Sequence, residues 1–157
     1  MTTTNQTIEV ERPISVVYGQ WTQFEEFPEF MEGVESVQQL DDSHLRWCAR
    51  IGGVGREWDA EIVRQEPNRE VAWRATSGAD NAGVVTFREL GVDRTEVSLA
   101  LDFEPEGVAE QIGDKLGIVK ARVSGDLQRF KEFIESRPVP TGDWQGSIRE
   151  GEVTAPD

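Results

Sequence analysis

The residues that could carry chemistry are few. His44, Cys48 and Tyr18 are the only histidine, cysteine and tyrosine of the chain. His44 directly follows Asp41, Asp42 and Ser43, which together are the residue types of a hydrolytic triad. A triad needs a histidine oriented by a carboxylate on one side and facing a nucleophile on the other. Four such residues in succession instead have the composition of a polar turn, and a surface turn is expected there. One histidine and one cysteine cannot furnish a usual zinc site. Glu57, Asp59 and Glu61 alternate along one strand face and could face a hard cation. Arg46, Arg50 and Arg74 lie on flanking strands, however, and explain them without an ion. Gly52-Gly53-Val54-Gly55 lacks the Lys-Ser/Thr and the helix of a phosphate loop, as well as dinucleotide spacing, and reads as a hairpin turn. Tyr18 sits on the apolar side of an amphipathic segment, where a core position with a satisfied hydroxyl is expected. No catalytic residue is assigned, and no metal or cofactor is expected.

What is left is apolar surface with a polar handle. Trp47, Trp58 and Trp73 sit on strand-like segments in one alternating row, each with a flat ring and an indole N–H. These rows must be held by the surrounding elements. Ile8 and Val10 alternate in a first strand, Gln6 to Glu11. Pro13 then opens a short helix with Ile14, Val17, Tyr18 and Trp21 at helical spacing. Pro28 can open a second short helix that carries Phe30 and Met31 inward and ends at Gly33. From Val34 to Phe103 the chain reads as successive antiparallel strands divided by turn clusters. One row of this meander holds Trp47, Trp58, Trp73, Phe87, Leu99 and Leu101. The other holds Arg46, Arg50, Glu57, Asp59, Glu61, Arg74, Arg88 and Glu96. Burying a large apolar side chain is worth roughly 1.5–3 kcal/mol against a few tenths for an exposed ion pair, so the aromatic row belongs inside. A long amphipathic helix, about Pro105 to Arg137, closes the domain. It carries Val108, Ile112, Leu116, Val119, Val123, Leu127, Phe130 and Ile134 within an arc of about 100°. The class is α+β, a curved antiparallel sheet wrapped around a C-terminal helix.

Composition bounds the partners. The chain has 157 residues, the length of a single domain, and a formal charge of −14. Such a surface repels phosphate, which excludes nucleic acid and disfavours anionic membranes. No apolar run reaches the roughly 18 residues of a membrane span, so no stable insertion is expected. With one cysteine and no secretory signal at its N-terminus, the chain fits a cytoplasmic setting. Residues 1–137 form the expected domain. Residues 138–157, rich in proline and glycine and without periodicity, are expected to be mostly disordered, with Trp144 either folding back or meeting a partner. The oligomeric state is not legible.

Several of these segments together resemble the START-like superfamily, in particular its bacterial polyketide cyclase/dehydrase branch. The carriers are Ile8-x-Val10 followed by Pro13, then Val17 and Trp21, Phe27-Pro28-x-Phe30-Met31, Val34-x-x-Val37, Leu45-x-Trp47 and the closing helix. The resemblance implies a helix-grip fold with two short helices after the first strand. It also implies a deep hydrophobic cavity for lipids, polyketides or quinone-like molecules. The candidate ligand contacts are Phe30, Trp47, Trp58, Ala60, Trp73, Phe87, Leu99, Leu116 and Val119. The leading expectation is a binder of a hydrophobic small molecule. An aromatase/cyclase acting on a tethered polyketide and a ligand-free interaction protein are the alternatives. The arginine and tyrosine used by cyclases of the family cannot be matched, because Tyr18 is on a core face and the strand arginines fall on the outward row.

Overall fold

A computed structural model describes residues 2–31, 33–51, 54–78, 81–103, 112–136, 144 and 146–154; the side chains of 2, 51, 54, 103 and 112–120 lie outside that description. Strand β1 (Thr2–Val10) leads into helix α1 (Ile14–Trp21) and a 3-10 helix (Phe24–Glu29). Strands β2 (Val34–Gln39), β3 (His44–Ile51), β4 (Val54–Glu66), β5 (Glu70–Gly78), β6 (Asn81–Gly91) and β7 (Arg94–Phe103) follow. Helix α2 (Ile112–Glu135) and two short strands, β8 (Ser147–Arg149) and β9 (Glu152–Thr154), complete the chain. The curved antiparallel sheet has the order β1-β7-β6-β5-β4-β3-β2, with β8 on β4 and β9 on β8. Each strand from β2 to β7 pairs with its sequence neighbour, and β1 closes onto β7 over its whole length, from Thr2↔Phe103 to Val10↔Thr95. The expected first strand therefore begins earlier than Gln6: Thr2 to Asn5 carry no apolar alternation but find a complete ladder on β7.

The two faces divide as the alternation requires. Outside, Arg46 pairs with Asp59 at 2.9 Å, Arg74 with Glu61 at 3.2 Å and Arg88 with Glu96 at 3.1 Å, each across neighbouring strands. Inside, Leu45, Ala60, Ile62, Val71, Val85, Phe87, Val97 and Leu99 are buried. Val123, Leu127, Phe130 and Ile134 of α2 are buried against this face. Their spacing of four, three and four is the core stripe of an amphipathic helix. Polar clamps hold α2 in place: Arg129 Nε donates to Phe30 O at 3.0 Å, Arg12 Nε to Ile134 O at 3.2 Å and Lys131 Nζ to Glu9 O at 3.0 Å. Of the expected helix, positions 105–111 and 137 lie outside the described residues. Among the described residues, no helix is long and apolar enough to cross a membrane.

Two expectations need correction. The second short helix does not begin at Pro28 but at Phe24, as a 3-10 element with Pro28 inside it. Phe30 N donates to Phe27 O at 3.1 Å, so Pro28 is the second residue of a turn. Proline's fixed φ suits that position, and no N–H is required of it. The tail is not disordered over 146–154. Ile148 is fully buried and sits opposite Gln65, where β4 runs past the end of β3 and leaves an edge free. Glu150 (φ 51) and Gly151 (φ 80) form the two-residue turn between β8 and β9. Positive φ at both central residues is the hairpin geometry that matches strand twist.

Candidate ligand-binding face

Strand register places the tryptophans. Trp47 on β3 and Trp58 on β4 are direct partners, and their rings stack with centroids 5.6 Å apart and planes 9° apart. Phe27 of the 3-10 helix tilts onto Trp47 at 5.6 Å. Trp73 on β5 lies opposite Gly83 on β6. A Cβ at position 83 would fall 2.6 Å from the Trp73 ring, so the indole lies across the neighbouring strand on bare backbone. Its Nε1 donates to Asn81 Oδ1 at 3.2 Å. All three tryptophans are only part-buried.

The other expected contacts are divided. Phe30 packs on Phe130 at 5.1 Å and on Phe133 at 5.3 Å. Phe87 meets Tyr18 edge-on at 5.4 Å. Both phenylalanines belong to an aromatic cluster with Trp21, Phe24 and Phe27, which α1 and the 3-10 helix supply. Ala60 and Leu99 are buried on the same sheet face. The side chains of Leu116 and Val119 lie outside the described residues. The inner face therefore has one part packed solid by the C-terminal half of α2 and another where three indoles keep accessible surface.

One polar atom on this face is unanswered. Trp47 Nε1 is buried and finds no acceptor among the described residues. A buried donor left unpaired costs about 1–3 kcal/mol. No one-residue signal in the sequence marks this atom, because its isolation depends on tertiary packing.

The reactive residues are committed elsewhere. Asp41 Oδ1 (2.8 Å) and Ser43 Oγ (3.1 Å) both meet Nδ1 of His44. A triad requires carboxylate and nucleophile on opposite ring nitrogens; here Nε2 faces Glu61 Oε2 at 3.8 Å. The Ser43 amide and the His44 ring, against a smaller desolvation penalty, hold the Asp41 carboxyl below the usual range. Tyr18 is fully buried and its hydroxyl accepts from Gln65 Nε2 at 3.0 Å. Cys48 Sγ donates to Glu57 Oε1 at 3.4 Å on the outer face. The Ser77 hydroxyl and the Arg46 guanidinium hold Asp59 low in the same way. Among the described residues, no cluster of three or more histidine, cysteine or carboxylate side chains could hold a metal.

Known proteins share this architecture. An uncharacterized 17.2 kDa protein of Streptomyces lincolnensis is 49% identical over 149 residues, 94% of this chain and 99% of the relative. A crystal structure from Deinococcus radiodurans is 27% identical with a TM-score of 0.65, covering 83% of this chain and 95% of its own. The Zhui aromatase/cyclase from Streptomyces sp. R1128 is 18% identical with a TM-score of 0.75, covering 87% of this chain and 94% of its own. At that identity the likeness shows the helix-grip fold alone. Residues 10–132 match the family described as polyketide cyclase/dehydrase and lipid transport. With about four-fifths of its length inside that match and the sheet wrapped on the long helix, the chain belongs to the polyketide cyclase/dehydrase and lipid transport family.

Proposed function

We infer that the face between α2 and the Trp47–Trp58–Trp73 row binds a hydrophobic small molecule of the lipid, polyketide or quinone-like kind that carries an oxygen acceptor. The observation that carries this reading is the unpaired indole N–H of Trp47 beside the stacked Trp58 ring. A ligand carbonyl or hydroxyl meeting that N–H would recover a buried hydrogen bond. Each 100 Å² of apolar ligand surface removed from water adds about 2.5 kcal/mol before the costs of association. The family's description, which includes lipid transport, supports the same ligand class. Cyclisation of a bound chain has less support. Tyr18 is tied to Gln65, and Arg46, Arg74 and Arg88 are paired on the outer face.

Native mass spectrometry of freshly purified protein should show co-purified apolar mass. Titration with lipid, quinone and polyketide panels should quench tryptophan emission. Trp47→Ala and Trp73→Ala should each weaken binding at least tenfold. Unchanged binding in both variants, or no quenching by any member of the panels, overturns the reading.

A further inference from the structure

A pocket of about 370 Å³ opens where Trp144 meets the end of α1, and among the described residues it shares none with the tryptophan face. Thr22 and Gln65 are its buried floor, Glu25, Asp41 and Asp42 stand on its exposed rim, and Trp144 forms a wall. Among the described residues, every charged side chain lining it is anionic.

One side-chain polar atom of the floor has no hydrogen-bond partner among the described residues. Thr22 Oγ1 donates to Gly19 O at 2.6 Å and accepts from Gln23 Nε2 at 3.0 Å and Trp144 N at 3.1 Å. Gln65 is fully buried, and while its Nε2 donates to Tyr18, its Oε1 has no donor among the described residues. On the rim, Asp41 is held by Ser43 and His44, and Glu25 Oε2 accepts from Gln39 N at 3.0 Å. Asp42 has no partner among the described residues. The pocket thus presents a buried neutral acceptor under a ring of negative charge, beside aromatic surface. A bare metal ion does not suit it, because no three ligating side chains converge there. A cation with directional N–H donors and a carbon stem does.

We propose that this pocket binds a small primary ammonium compound, whose –NH3+ donates to Gln65 Oε1 while Asp42 and the other rim carboxylates supply the charge and Trp144 receives the stem. The test is an NMR titration of the full chain with n-butylammonium chloride at constant ionic strength, read at the indole N–H of Trp144, which Trp144→Phe identifies. The expected result is a saturable shift that sodium chloride, magnesium chloride and n-butanol do not reproduce. Gln65→Met should weaken it at least tenfold and Asp42→Asn about threefold, while Trp47→Phe leaves it unchanged, so that this site and the tryptophan face fail independently. A non-saturating shift, an equal response to magnesium, or unaltered affinity in Gln65→Met overturns the proposal. Should Gln65→Met lose the folded spectrum, unaltered affinity in Asp42→Asn, an exposed turn position, overturns it instead.

Discussion

Two side chains show how single atoms set ligand preference and acid sensitivity. Trp47 Nε1 is the buried donor without an acceptor among the described residues. Trp47→Phe keeps a ring on Trp58 and removes only that N–H. It should weaken oxygen-bearing ligands about fivefold, the worth of one hydrogen bond near 1 kcal/mol, and leave hydrocarbon binding unchanged in the same quenching titration. Glu135 is the second case. Burial pushes its carboxyl up, but the Lys131 hydrogen bond, the Glu11 amide and the charges of Lys131 and Arg12 together outweigh this and hold it below the usual range. A depressed folded pKa adds stability that is full above the unfolded value of about 4.3 and is lost as pH falls through the lower folded value. Glu135→Gln should therefore cost about 0.5–1 kcal/mol in urea unfolding at pH 7. The gap from the native protein should narrow as pH falls below that unfolded value.

Strands and turns obey local rules where one face is wet and the other dry. The period-two alternation of β3 to β7 put Trp47, Trp58 and Trp73 on the inner face, as their spacing requires. The same logic makes Gly83 essential, since its missing Cβ is what lets Trp73 lie flat. Gly83→Ala would set a methyl 2.6 Å from that ring and 2.9 Å from Ala100 O. It should cost about 1–3 kcal/mol as overpacking. It should also shift the Trp73 indole resonance, because the Asn81 bond must lengthen when the ring lifts. The 3-10 helix was less legible: proline at position 28 reads equally as a helix start or as a turn residue, and the aromatic cluster selects the turn. In the tail, Ser147-Ile148-Arg149 and Glu152-Val153-Thr154 flank Glu150-Gly151, a hairpin signal that the surrounding prolines and glycines obscured.

The molecule as a whole is a sheet closed by α2 and extended along β4 by the tail strand β8. Ile148 is fully buried, and Trp144 N is bonded to Thr22 Oγ1 at 3.1 Å. Removing residues 144–157 deletes β8 and β9 but should leave the order of β1 to β7 intact, and should cost about 1.5–3 kcal/mol, the worth of one buried aliphatic side chain. Urea unfolding read by far-ultraviolet circular dichroism checks this, with an unchanged native spectrum as the control for fold. The same truncation removes one wall of the anionic pocket, whereas no residue of the tryptophan face is lost.

The α+β class, the inward aromatic row, the outward ion pairs and the C-terminal stripe from Val123 to Ile134 were all readable from residue order, because periodicity is a local property. Contacts between distant positions were not. Tyr18 meets Gln65, Trp73 rests on Gly83, and Ile148 caps the free edge of β4. Each depends on which strands become neighbours and on where one strand outruns the next, and no spacing within a single segment encodes that. The unpaired atoms of Trp47 and Gln65 arise for the same reason, since a group is left without a partner only once the packing around it is complete.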